Sequence, residues 1–484
     1  MPSSPPVSSA AATAMAETGA TISSRERYGG LIWLVSAAFF MQSLDSTIVN
    51  TAVPAIATAL HETPLNMRSA LTSYVLTLAV LIPASPWLCD RFGTRRVFGV
   101  AIGVFAIGSL LCGVSQTLPE LVMARVLQGC GGAALMPVGR YVLVRTIDKR
   151  DFVQVMSTVA TFGLLGSVLG PLLGGALVEY TNWRLIFLLN VPVGMVGVWL
   201  NLREMPEYRL DTAHRFDLFG FLLFAAASAL LLAASEFAAD QTVRWAQMGM
   251  LVMLALVFGI TYVWHSHRIE HPVADLSLLR VRSVWVALSG NLLTRLGISG
   301  MFLLIVLFLQ VGCGWSPLMA GMMMVPQALG SISAKWLVNR MLIRLGYRRL
   351  LFGNTLIVAV LLALFALLGP HTPMLLIALL VFVYGGFMGM QYTVMNTLVY
   401  TDLDIRHASM ASSMASTTQY LSMSFGIALA TILMQNLLHG QSNAAYVAAF
   451  RWTVIVLAVI TAIASRVFAR LDKVPPAGSV SSTA

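Results

Sequence analysis

Charge is what this sequence has least of. Only 10% of its 484 residues are Asp, Glu, Lys or Arg, and the acids number 20. A soluble domain is about 25% charged, so this chain cannot clothe itself in a water-facing surface. Cysteine is also scarce. Cys89, Cys112, Cys130 and Cys313 lie in apolar runs or at their ends, without the paired spacing of a disulfide framework or a metal site. No HExxH, GxSxG or CxxC stretch and no acidic metal cluster occurs at a plausible spacing, so a membrane enzyme is a remote reading and no cofactor is expected. Residues 1–28, rich in Ser, Ala and Pro, lack the basic start, apolar stretch and small-residue cleavage site of a signal peptide. They are expected to form a disordered tail.

What is abundant is apolar length. Hydrophobic residues make up 58% of the chain. A bilayer core of about 30 Å is crossed by roughly 20 apolar residues in a helix, and about fourteen such runs can be traced, joined by short connections. The fold class expected is an all-α polytopic membrane protein. With so little chain outside the bilayer, chemistry must lie among the helices or on small loops, which favours a transporter.

The formal charge of +10 raises nucleic acid as a partner, but its distribution argues otherwise. Counted by alternate connections, only Arg68, Arg184, Arg244 and Arg451 fall on one side, and Arg125, Arg295 and Lys335 fall within runs. The remaining Lys and Arg gather on the side of the two tails. Because basic residues accumulate on cytoplasmic loops, both termini are expected inside, in a cell membrane of the bacterial inner-membrane kind.

Gly93-Thr94-Arg95-Arg96 opens one apolar run and Gly346-Tyr347-Arg348-Arg349 opens a much later one. The repeated turn fits two related halves in parallel orientation. The organisation expected is a tail over 1–28, a six-helix bundle over 29–203, an inserted helix pair with its loops over 204–282, a second six-helix bundle over 283–470 and a tail over 471–484.

Several polar groups stand inside apolar runs. Asp45, in Leu44-Asp45-Ser46-Thr47-Ile48-Val49-Asn50, lies about 16 Å from the outer end of the first run at helical rise. A carboxylate there costs roughly 3 kcal/mol unless it faces a cavity, finds a partner or takes up a proton. It either cycles a proton or makes a structural hydrogen bond to a neighbouring helix. Arg125, in the fourth run, lies at a similar depth and either answers Asp45 as a switchable partner, forms a fixed pair with it or snorkels outward. In the fifth run Gly166, Gly170 and Gly174 form one stripe beside Pro171, either static packing or a sliding contact between halves. Asp90, Arg91, Gly93, Arg95 and Arg96 crowd the connection between the second and third runs, where Asp90 either joins a breakable lock or merely accompanies a positive-inside anchor.

Taken in order, these stretches resemble the major facilitator superfamily, and within it the fourteen-helix drug/proton antiporter branch. Leu44 to Asn50 is similar to that branch's first-helix signature, Asp90 to Arg96 to the superfamily loop motif, Arg125 to Ala134 to the fourth-helix motif and Gly163 to Gly175 to the antiporter motif. Asn182 to Gly194 resembles the branch's entry into the sixth helix. The resemblance implies two six-helix bundles with two inserted central helices, a cavity between the bundles, and proton coupling by Asp45 and Arg125. It further implies an efflux pump for small amphiphilic molecules, powered by the proton gradient, with small organic substrates, protons and lipid as partners; a monomer is the expected unit. A uniporter, importer or exporter of one metabolite on the same fold remains the alternative, and a membrane enzyme or sensor a remote one.

One departure bears on the substrate. Beyond the inserted pair the apolar cores hold no Asp or Glu, while Arg295 stands about 18 Å into the ninth run, near the midplane. It either attracts an anionic or zwitterionic ligand or pairs with Asp45. Gln310, Gln327, Gln391 and Asn396 are further cavity candidates, with Met319, Met322, Met323 and Met324 as an adaptable apolar surface.

Overall fold

The computed structural model describes residues 28–209, 216–239, 245–270, 272–403, 408–438, 440 and 442–471. The tails expected over 1–28 and 471–484 lie outside the described residues except for Tyr28 and Leu471. No strand occurs among the described residues, and 13 helices are long and apolar enough to cross a membrane. We label them α1 (Gly29–Ala59), α2 (Arg68–Phe92), α3 (Thr94–Val114), α4 (Leu118–Thr146) and α5 (Lys149–Tyr180). There follow α6 (Arg184–Glu204), α7 (Leu218–Ala239), α8 (Trp245–Ser266), α9 (Arg282–Gly312) and α10 (Pro317–Phe365). The last three are α11 (Met374–Leu398), α12 (Ala408–Leu437) and α13 (Asn443–Phe468).

The count of thirteen differs from the expected fourteen at α10. That helix has 49 residues, over twice what a bilayer needs, and is interrupted at Gly346 with φ 70° and ψ 166°. Its first residues touch Glu179 at the end of α5, and Leu368, just past its end, accepts from Arg451 in the first half of α13, so the segment doubles back at Gly346. Gly93, between α2 and α3, has φ 89° and ψ 147°. Both copies of the Gly-x-Arg-Arg turn thus adopt a backbone conformation that a side chain strongly disfavours, which explains glycine at each.

Helix starts are set by local chemistry. Thr117 accepts from the Glu120 N–H with Pro119 in the first turn of α4, and Ser316 and Ser442 cap α10 and α13 in the same way. Within α1, the hydroxyls of Ser46, Thr47 and Thr51 and the Asn50 amide bond to carbonyls three or four residues back, which satisfies them in an apolar phase.

Close packing places the site. Gly166 and Gly174 let the α5 backbone lie against α1, where an added Cβ would meet the Phe40 and Ile48 carbonyl oxygens at 2.5 Å. The stripe therefore faces a neighbour within the same half rather than the other half. The inter-half contact of α5 is made by Pro171 and Gly175, which pack on Gly321 and on Pro317–Leu318 of α10. Hydrogen bonds between the halves gather at the end with few arginines. Arg68 Nη1 donates to Gln435 Oε1 at 2.6 Å, Ser424 Oγ to the Thr72 carbonyl at 3.1 Å and Leu318 N to Glu179 Oε2 at 3.0 Å. Toward the basic end the Tyr420 hydroxyl meets Met136 Sδ at 3.9 Å.

Candidate functional site

Asp45 is completely buried and held by three donors from two helices, α4 and α6. Arg125 Nη1 of α4 donates to Oδ2 at 2.7 Å, Gln128 Nε2, one turn further on, to Oδ1 at 2.8 Å, and Asn190 Nδ2 of α6 to Oδ1 at 3.2 Å. Arg125 Nη1 also reaches Gln128 Oε1 at 2.8 Å, its Nε points to the Ala70 carbonyl at 3.4 Å, and its guanidinium lies 4.0 Å over the Tyr74 ring. Asn190 in turn donates to Ser109 Oγ at 3.1 Å, which ties α3 into the network. A buried carboxylate needs such partners, and here both oxygens have them.

Of the sequence's open alternatives for Arg125, snorkelling is excluded, and the pairing of Asp45 with Arg295 is replaced by pairing with Arg125. Gln128 and Asn190 were not singled out from the sequence. Their signals were there: a polar residue one helical turn after Arg125, and an amide within an apolar run.

A cavity of about 190 Å³ lies beside this network, walled by both halves. Ser46, Asn50, Tyr74 and Arg125 line it from one side and Arg295, Ser299, Gln327, Tyr392 and Met423 from the other. Arg125 thus has Asp45 on one flank and the cavity on the other. A larger, almost wholly apolar space of about 510 Å³ lies between α2, α4 and α7. The hydroxyls of Ser69, Thr72, Ser73 and Thr77 on its wall are bonded to carbonyls of their own chain segment, leaving it without polar chemistry, so the smaller central cavity is the candidate site.

The remaining candidates divide. Arg295 and Gln327 line the central cavity, but Gln310, Gln391 and Asn396 do not. A π turn at Phe308–Gly312 carries Gln310 to the Thr51 carbonyl at 2.9 Å, a bond between halves. Gln391 is buried between α10 and α11, accepting from Asn354 at 2.7 Å and donating to Thr355 at 2.8 Å, and Asn396 is exposed. Met319 and Met322 are also exposed, and the sulfur surface of the cavity comes instead from Met388 and Met423. Helix register decided each case.

At the basic end Asp90 accepts from the Tyr141 hydroxyl at 3.0 Å and makes no ion pair among the described residues. Nor does it cap α3, whose N-cap is Gly93 without a side-chain bond. Arg91 and Arg96 are exposed. Arg95 Nε donates to the Met205 carbonyl at 2.7 Å, and Thr94 exchanges bonds with Pro206 and Tyr208, so the segment after α6 straps the start of α3. In this structure Asp90 thus bonds a phenol rather than its neighbouring arginines, and the strap holds Arg95.

A family model described as Major Facilitator Superfamily matches residues 35–427. The chain belongs to the Major Facilitator Superfamily. Among relatives in this superfamily, a putative multidrug resistance protein MdtD of Serratia proteamaculans is 40% identical over 443 residues, covering 91% of this chain and 93% of that protein. Another of the same name from Klebsiella pneumoniae subsp. pneumoniae is 41% identical over 445 residues, covering 91% and 94%. Among solved structures, a D-xylose-proton symporter aligns with TM-score 0.62 at 13% identity, over 89% of this chain and 96% of that one. An auto-inhibited POT family peptide transporter aligns with TM-score 0.66 at 15% identity, over 92% and 98%. At these identities the structural likeness speaks for the superfamily fold alone. Fold and relatives are those of transporters, not enzymes.

Proposed function

We propose that the protein exports small amphiphilic organic molecules in exchange for protons, by alternating the access of its central cavity between the two sides of a bacterial inner membrane. The observation that carries this reading is Asp45, a fully buried carboxylate whose arginine partner also walls the cavity. Deprotonated, Asp45 holds Arg125 and the α1–α4 contact. Protonated, it releases the charge on Arg125 toward the cavity and loosens that contact, so proton and substrate act on one shared residue.

The names of the relatives support export of organic compounds. The excess of Lys and Arg on one set of loops supports a cytoplasmic placement of the basic end and of both termini. In this reading the bundles over 29–203 and 283–470 rock about the cavity, the pair within 204–282 rides between them, the working unit is a monomer, and the proton gradient is the energy source.

Asp45→Asn tests it. The amide keeps the shape and one acceptor oxygen but cannot take up or release a proton. In proteoliposomes with an imposed pH gradient, followed by a lipophilic fluorescent dye and an internal pH indicator, the variant is expected to insert normally and lose gradient-driven dye movement and coupled proton flux. Undiminished coupled flux refutes the assignment.

A further inference from the structure

Arg295 is a cation that no carboxylate answers among the described residues. It is 5% exposed, stands in a membrane-spanning helix and makes no ion pair among the described residues. Its surroundings fix its orientation. Nε donates to Asn291 Oδ1 at 2.5 Å one turn back on α9, and the guanidinium lies 3.7 Å over the Tyr392 ring of α11. One edge and one face are thereby occupied. Nη1 and Nη2 find no acceptor among the described residues, and the residue lines the central cavity.

A second unanswered donor stands beside it. Ser299 is one helical turn further along α9 and lines the same cavity, and its buried hydroxyl lies near the Tyr392 hydroxyl without completing a hydrogen bond among the described residues. Across the cavity Gln327 has, among the described residues, an Oε1 without a partner and an Nε2 that meets the Met388 sulfur at 3.7 Å. Native proteins satisfy buried polar groups and pair buried charges, so a fork of two N–H groups next to a free hydroxyl is a cradle awaiting an acceptor with negative charge. Planar Nη pairs match a carboxylate bidentately, and pinning by Asn291 and Tyr392 orients that fork before any ligand arrives.

We infer that Arg295 and Ser299 form a carboxylate-binding subsite in the central cavity, so that the molecules carried are amphiphiles bearing a carboxylate, held at that end by α9, with the apolar body against Met388, Met423, Ile298 and Phe302. This rests on the transport reading above and narrows its substrate class. Asp45 does not compete for Arg295, because both its oxygens are already engaged by Arg125, Gln128 and Asn190.

The test is direct binding to the full-length protein in detergent. Three ligands of one shape are titrated calorimetrically: 1-naphthoate, neutral 1-naphthamide and the 1-naphthylmethylammonium cation. The expected order is carboxylate, amide, cation, with the carboxylate at least about tenfold tighter than the amide, as a charge-assisted bidentate contact confers. Arg295→Gln brings the carboxylate down to the level of the amide. Arg295→Lys retains part of the preference, since charge remains without the fork, and Ser299→Ala weakens the carboxylate a few-fold while leaving the amide close to wild type. Should Arg295→Gln fail to fold, the Lys and Ala variants carry the test. Equal affinities for carboxylate and amide, no carboxylate binding at millimolar concentration, or a preference untouched by every folded variant overturns the subsite. A carboxylate preference in a protein without proton-driven transport refutes the exchange reading alone, and proton-driven transport without that preference refutes the subsite alone.

Discussion

At the scale of single residues, Arg125 carries more geometry than charge. One guanidinium meets Asp45, Gln128 and the Ala70 carbonyl while stacking on Tyr74. A lysine ammonium supplies the charge but cannot make a planar, multi-donor contact of this kind. Arg125→Lys is therefore expected to insert and fold yet lose coupled turnover by at least about tenfold, a loss of roughly 1.4 kcal/mol in transition-state or conformational free energy. Proteoliposome flux measured beside wild type checks this, and a wild-type rate would reduce Arg125 to a counter-charge. Arg125→Leu goes further, because removing one partner of a buried pair costs about 3–5 kcal/mol when the other stays charged. Its thermal stability should recover in large part when combined with Asp45→Asn, and independent, additive losses would show that the two residues are not energetically coupled.

At the scale of elements, the two Gly-x-Arg-Arg turns and the strap over α3 make the basic end a set of fitted pieces. Gly93 has φ 89°, and the Glu207 carboxylate occupies the space an added Cβ would need. Gly93→Ala meets backbone strain whether or not the flexible Glu207 side chain swings aside, and an unfolding cost of about 1–3 kcal/mol is expected, read as a lowered Tm in detergent. An unchanged Tm would mean that the strap yields freely. Tyr141→Phe probes the neighbouring contact. It frees Asp90 from α4 without altering charge, and if that bond belongs to the state closed at the opposite end, labelling of the cavity from the basic side should slow. Much of this architecture was legible in the sequence. Apolar lengths gave the helices, two short glycine-led repeats marked corresponding turns, and Asp45 and Arg125 stood out because charge is costly in lipid. Other features needed register between distant helices. Nothing local states that α6 turns Asn190 onto Asp45, that Gln391 points at Asn354 rather than into the cavity, or that the stripe of Gly166, Gly170 and Gly174 faces α1. The break at Gly346 is of another kind: it was visible as a Gly-Tyr-Arg-Arg turn, and there the backbone leaves helical geometry and reverses, so that α10 is two helical arms joined at one non-helical residue.

At the scale of the whole molecule, the two halves are fastened at one end. Arg68 to Gln435, Gln310 to the Thr51 carbonyl and Leu318 to Glu179 join them across the arginine-poor side, and Pro171 and Gly175 pack on the start of α10 beneath those bonds. The cavity should therefore admit reagents from the basic side. Asn50 lines it from α1 and serves as the probe position, in a protein whose Cys130 and Cys313, both partly or fully exposed, have been replaced by serine. With Asn50→Cys, a membrane-impermeant maleimide is expected to react at least about tenfold faster from the basic face than from the other, the ratio that a state preference of roughly 1.4 kcal/mol produces. Loosening the fastening shifts the balance. Gln310→Ala removes one neutral hydrogen bond worth about 1 kcal/mol, so the reactive fraction at the arginine-poor face should rise about fivefold, while Glu179→Gln, which keeps an acceptor for Leu318, should change it little. Equal labelling from both faces, or a rise with Glu179→Gln and none with Gln310→Ala, would place the closure elsewhere than in these bonds.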